Sequence, residues 1–113
     1  MKIYAVIGGR TFNDYELLKS ELDKLQIDKI VSGGAKGADT LAERYAKEHS
    51  IPLEVFNADW DKFGKSAGYI RNEQVMTVAT NVVAFWDGIS KGTAHTIRIA
   101  KKQSKPVIIV DYK

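Results

Sequence analysis

The sequence predicts a doubly wound α/β domain built on a five-stranded parallel sheet, and three observations carry that expectation. Short apolar runs alternate with helical patterns along the whole 113-residue chain. Two of the five runs are nearly continuous in apolar residues, the pattern of strands covered on both faces. Seven of the nine glycines fall in three loops, each of which follows a strand.

The predicted strands are Ile3 to Ile7, Lys29 to Val31, Leu53 to Phe56, Val82 to Trp86 and Val107 to Val110. The first and fourth are the continuous ones, which assigns them to the middle of the sheet, with Trp86 in the core. Asn13 followed by Glu16 has the spacing of a capping box, and Leu18, Leu22 and Leu25 then form one apolar helix face. Ala38, Leu41, Ala42, Tyr45 and Ala46 form a second such face, on a helix that must stop before Pro52. Ile70 to Ala79 gives a weaker third helix, and Thr93 to Gln103, with Ala94, Ile97 and Ala100 on one side, a fourth. Strict alternation implies right-handed crossovers, helices on both faces and the strand order 3-2-1-4-5, within one domain spanning residues 1–113.

Composition narrows the chemistry. There is no cysteine, and His49 and His95 are the only imidazoles, which leaves no ligand set for a structural zinc. A metal here would be a hard one on oxygen ligands, with Mg²⁺ beside a phosphate the natural choice. The apolar stretch from Met1 to Ile7 is too short for a signal sequence, and no stretch has transmembrane length, which predicts a cytoplasmic protein without a membrane partner. A net charge of +3 arises from 17 basic and 14 acidic residues that are interspersed rather than striped, which argues against nucleic acid as a partner.

The strand order locates a site. Ligands of open α/β sheets bind outside the carboxyl ends, where the chain reverses direction across the sheet, here between the first and fourth strands. Three loops converge there: Gly8-Gly9-Arg10-Thr11, then Ser32-Gly33-Gly34-Ala35-Lys36-Gly37-Ala38-Asp39, then Asp87-Gly88-Ile89-Ser90-Lys91-Gly92-Thr93. The second runs from a strand into a helix, so that backbone N–H groups and a helix N-terminus form an anion site, with a charge from Lys36 and a hydroxyl from Ser32. Asp39 near the first turn either caps that helix or meets a ribose hydroxyl. The third loop delivers Ser90, Gly92 and Thr93 to another helix start. Asp87 there either binds a ribose, orients water or holds Mg²⁺, or simply builds the turn before Gly88. His95 reads as a packed or solvent-facing histidine. Gly64-Lys65-Ser66 imitates the end of a Walker motif, but Asp59 stands where the first glycine belongs and no helix clearly follows. The polar, aromatic segment 59–68 is expected to lie as a long loop over the ligand edge, in the manner of a lid, with Arg71 and Asn72 behind it in reach of a phosphate.

The segments GGRTFND, IVSGGAKGADTLAERYA, ADWDKFGKSAGYIRNEQV and AFWDGISKGTAH, in that order, resemble the YspA-type branch of the SLOG superfamily. The resemblance implies a Rossmann-like fold and recognition of nucleotides or nucleotide-derived molecules, in a superfamily that includes the Lonely Guy phosphoribohydrolases and the DNA-processing protein DprA. The Lonely Guy motif PGGxGTxxE is similar to Asp87-Gly88 through Gly92-Thr93, but its catalytic glutamate falls on Thr96; Arg71 matches the arginine that those enzymes supply from an earlier helix.

Three functions follow. The first is a module that binds a phosphate-bearing nucleotide, sensing or sequestering a signalling molecule, with Arg10 and Arg71 near its charges. The second is an N-glycosidic hydrolase or transferase, with Asp87 as base or nucleophile and Arg71 positioning phosphate. The third is single-stranded nucleic-acid binding by analogy with DprA. So small a domain offers only part of a pocket wall, and Tyr45 and Tyr69 carry aromatic surface suited to an interface, which predicts an even-numbered homo-oligomer.

Overall fold

The computed structural model describes residues 1–112. Strands β1 (Ile3–Gly8), β2 (Lys29–Ser32), β3 (Leu53–Val55), β4 (Asn81–Trp86) and β5 (Val107–Asp111) form one sheet in the order β3-β2-β1-β4-β5. Every pairing is parallel, which is the expected doubly wound topology. Ala5 stands opposite Val31 on one side and Val82 on the other, and this register brings Gly8 level with Phe85 at the carboxyl edge.

The apolar runs of β1 and β4 are continuous because alternate residues serve different cores. Tyr4, Val6, Val83 and Phe85 face α1 (Tyr15–Leu22) and α2 (Ala38–Glu48), where Leu18 and Leu22 are fully buried. Ala5 and Val82 face the opposite way, toward Val75 and Met76 of α4 (Ala67–Val78) and Ala100 of α5 (Lys91–Lys102). Phe85 is the largest fully buried side chain and stacks on Phe12 at a ring separation of 4.9 Å. Among the described residues no helix is long and apolar enough to cross a membrane.

Several local expectations are corrected. Asp14, not Asn13, caps α1: its carboxylate accepts the Leu17 N–H at 3.0 Å, so the box does not form on Glu16. Leu25 lies beyond the helix and packs on the core from the following turn. The 59–68 segment is not an open loop. Asp59 accepts the Lys62 N–H at 3.1 Å and starts α3 (Trp60–Phe63), which passes through a 3₁₀ turn at Gly64–Ser66 directly into α4. A helix therefore does follow Gly64-Lys65-Ser66, starting at Ala67 rather than Ile70. Trp86 is only half-buried, its indole N–H donating to the Ser90 carbonyl at 3.1 Å at the sheet edge. Tyr45 is buried within its own chain and donates to Asp23 at 2.7 Å, which removes it as an interface anchor and leaves Tyr69, 48% exposed.

The two-faced core makes a direct prediction. Phe85→Ala, which empties the contact between β4, Phe12 and the α1–α2 layer, is expected to cost about 3–5 kcal/mol of unfolding free energy. Urea denaturation followed by circular dichroism measures it; a loss under 1 kcal/mol would show that Phe85 is not central to that core.

Candidate functional site

The three glycine loops meet as expected, and their meeting depends on missing side chains. A Cβ on Gly8 would lie 2.6 Å from the Phe85 carbonyl and 2.7 Å from Ala38, so only glycine lets β1 end this close to β4 and the start of α2. Gly37, at a φ of +81°, lies against the backbone of Gly9 and Arg10. The amides of Phe12 and Ala38 both donate to the Gly9 carbonyl, at 3.3 and 3.4 Å, locking the first loop onto the second.

At this junction is a cavity of about 260 Å³ lined by Gly8 and Arg10 of the first loop, Gly33, Ala35 and Asp39 of the second, Arg71 and Asn72 of α4, and Ser90, Gly92 and Thr93 at the start of α5. Ile7, Val75 and Thr96 complete its walls. A second lobe of about 310 Å³ shares Arg10, Gly33, Ala35 and Arg71 with the first, and adds Gly34, Lys36, Asn57, Ala58 and Trp60. Of the residues expected at the site, Gly9, Thr11, Ser32, Gly37, Asp87 and Gly88 line neither lobe.

Those six have other work. Gly9 is buried beneath the Tyr112 hydroxyl. Thr11 is exposed. The Ser32 hydroxyl is fully buried, donating to Glu43 at 2.9 Å and accepting the Gly34 N–H at 3.2 Å, so it shapes the second loop from beneath. Asp87 accepts the Ile89 and Ser90 N–H groups, each at 2.8 Å. The Ser90 and Ile89 amides hold its carboxyl below the usual range, and Gly88 turns the chain at a φ of +82°. Asp87 is thus the builder of the turn that aims α5 at the cavity.

The carboxylate inside the cavity is Asp39. It is 8% exposed and accepts the Ala35 N–H at 3.1 Å. Burial pushes its pKa up to about 6, against the opposing pull of the Ala35 amide and the Arg71 charge. Arg71 is held in turn: Nη1 donates to the Gly33 carbonyl at 2.8 Å and Nε to Asn72 at 3.1 Å, leaving Nη2 without a protein partner among the described residues. A Cβ on Gly33 would stand 2.9 Å from Nε, so Gly33 is what admits the guanidinium. Burial disfavours the Arg71 charge, Asp39 supports it, and the neighbouring charge of Arg10 opposes it. Two guanidinium groups that repel each other across a cavity are stabilised by an anion between them.

The helix starts add to this. Neither Gly37 before α2 nor Ser90 before α5 caps its helix with a side chain. At α5 the Ser90 and Thr93 hydroxyls lie 3.2 Å apart, and Thr96 donates to the Gly92 carbonyl at 3.1 Å. Gly92 is open: a Cβ there would meet nothing within 4 Å. His95 lies behind this turn, edge-on to Tyr69 at 4.6 Å, and lines neither lobe.

Sequence reasoning missed Asn57, Ala58 and the hydrophobic walls Ile7 and Val75, and did not single out Ala35 or Trp60 from their segments. Asn57 and Ala58 were recoverable, because the predicted third strand ends just before them and places them at the same sheet edge. Val75 was not, since a helix face reads alike whether it covers a core or a cavity.

Comparison with known proteins identifies a family. The model of the YspA, cpYpsA-related SLOG family matches residues 3–63, which carry the first two loops and α3. The gene 61 protein of Mycobacterium phage D29 is 34% identical over 119 aligned positions, covering 96% of this chain and 95% of that protein. No solved structure gives a significant match.

The state of Asp39 is testable through stability. Its pKa of about 6 in the fold lies above the ordinary value of 3.8, so the folded chain binds this proton more tightly than the unfolded one. Its ionisation therefore costs nothing below pH 3.8 and progressively more as pH rises toward about 6, levelling at about 3 kcal/mol. Asp39→Asn is expected to gain stability relative to the wild type by about that amount between acid and neutral pH. Urea unfolding of both proteins across this range checks it; parallel pH profiles would refute a perturbed Asp39.

Proposed function

The chain belongs to the YspA, cpYpsA-related SLOG family, and from that membership we propose that it is a binding module for a phosphate-bearing nucleotide or nucleotide-derived small molecule. The observation that carries this reading is the pair Arg10 and Arg71, which line one cavity with the uncapped start of α5 at the carboxyl ends of the central strands. A phosphate there gains two cationic partners and the first-turn amides. Asp39, at the cavity wall, is suited to a ribose hydroxyl. Release of such a ligand only on unbinding, with no chemistry, would let the protein sense or sequester a signalling nucleotide.

A second reading, cleavage of an N-glycosidic bond, is favoured by Asp39 rather than by Asp87. A carboxyl with a pKa of about 6 inside the cavity is suited to protonating a leaving base. Water adding to the anomeric carbon as its bond to the base breaks, with one water proton returning to the Asp39 carboxylate, would complete the reaction, giving free base and sugar phosphate. Thr96, which lines the same cavity at the position of the related hydrolases' glutamate, has no titratable group for that step. Chromatography of nucleotides incubated with the protein separates the readings: free base appearing in the wild type and not in Asp39→Asn would establish the enzyme.

The binding reading is tested at Arg10, an exposed residue with no ion pair among the described residues. Arg10→Gln is expected to leave the melting temperature of the free protein within a degree or two while weakening nucleoside 5′-phosphates about tenfold or more. Isothermal calorimetry reads the affinity. Equal affinity in the variant would remove Arg10 from the site, and no binding of any phosphorylated nucleoside by the wild type would overturn the reading itself.

A further inference from the structure

The two lobes differ in chemistry, and the difference says what shape of molecule they take. The first is enclosed by the α5 start, Asp39 and the arginines. The second opens at Trp60, an indole that is 52% exposed on α3 and lines the lobe with Asn57 and Lys36. A tryptophan left half in water at a cavity rim keeps a large apolar area uncovered by the fold. The backbone that carries it is nevertheless anchored. Asp59 caps the short helix that carries it, and a Cβ on Gly68 would stand 3.5 Å from its outer ring, an ordinary packing distance, so the ring is seated close to the first turn of α4.

Volume points the same way. A pocket that encloses a molecule of nucleotide size measures roughly 300–1,000 Å³. Each lobe alone, at about 260 and 310 Å³, lies at or below the bottom of that range. Arg10 and Arg71 belong to the walls of both, so a ligand with its anion at those guanidinium groups is placed to reach into each.

We propose that Trp60 is the base platform of the site: the phosphate and sugar lie in the first lobe and at the shared arginines, while an aromatic base stacks on the indole with its edge toward the Asn57 amide. The inference rests on the nucleotide reading and narrows it to ligands that retain a base, rather than sugar phosphates alone. Stacking on an exposed indole favours any base, and the Asn57 amide, with one donor group and one acceptor, supplies the discrimination among them.

The experiment titrates the full-length protein with the four common nucleoside 5′-monophosphates and, separately, with ribose 5-phosphate, reading heat and tryptophan fluorescence. The wild type is expected to bind at least one nucleotide with quenching. Trp60→Leu is expected to abolish that quench and to weaken the nucleotide about tenfold to a hundredfold, leaving ribose 5-phosphate unchanged. Trp60→Phe, which keeps a stacking face, should recover most of the affinity. Nucleotide binding by Trp60→Leu at wild-type strength, or an equal loss for ribose 5-phosphate, overturns the base platform alone. Failure of the wild type to bind any of these probes overturns the nucleotide reading and this inference with it. Because Trp86 lies beside Ser90 at the start of α5, the quench is read also in Trp86→Phe, where Trp60 is the sole indole: it is expected to persist there, and nucleotide binding without it overturns the base platform.

Discussion

The site depends on one steric constraint, the approach of β1's end to β4 and α2 at distances that leave no room for a side chain. Gly8 lies against the Phe85 carbonyl and Ala38, and Gly37 against the backbone of Gly9 and Arg10. Because β1 is the central strand, these contacts fix the relative positions of all three loops. They also bring Arg10 to the cavity that Arg71 lines. The sheet's register and the loop's composition are therefore a single arrangement, in which neither determines the site without the other.

Electrostatics in this cavity run against the fold. A carboxyl lifted by burial and a guanidinium that is partly desolvated both destabilise the free protein, and their mutual attraction offsets only part of that cost. Arg71 is nevertheless held by Gly33 and Asn72, so its direction is set before any ligand arrives. Groups oriented in advance lose less freedom on binding. The cavity thus resembles a site whose ordering cost has been met during folding, with the hydrophobic layers on either face of the sheet supplying the free energy.

The sheet was legible in the sequence because continuous apolar runs and glycine loops report directly on burial and turning. The order of strands, the two helix layers and the convergence of the loops all followed. What was hidden lay in side-chain direction. Ser32 and Asp39 both belong to the second loop, yet one points beneath it and the other into the cavity, and nothing in SGGAKGAD distinguishes them. Asp87 drew attention as a strand-end carboxylate, while its two amide partners, formed only once the turn closes, assign it to the backbone. Polar composition made 59–68 look like an open loop. Its helical turns are nucleated by one capping carboxylate, Asp59, followed by a run too short to show a period.

Gly92 is the second residue of α5, in the first turn, where glycine still loses more backbone freedom on ordering than alanine. Nothing in the fold demands it, since a side chain there would collide with no protein atom within 4 Å. Gly92 also lines the cavity. At this one position conformational stability and ligand capacity are in direct opposition: filling it would strengthen the helix and shrink the pocket by the same methyl group. Selection for thermal robustness alone would thus press against this glycine, and a better-ordered helix with a narrower cavity mouth is one substitution away.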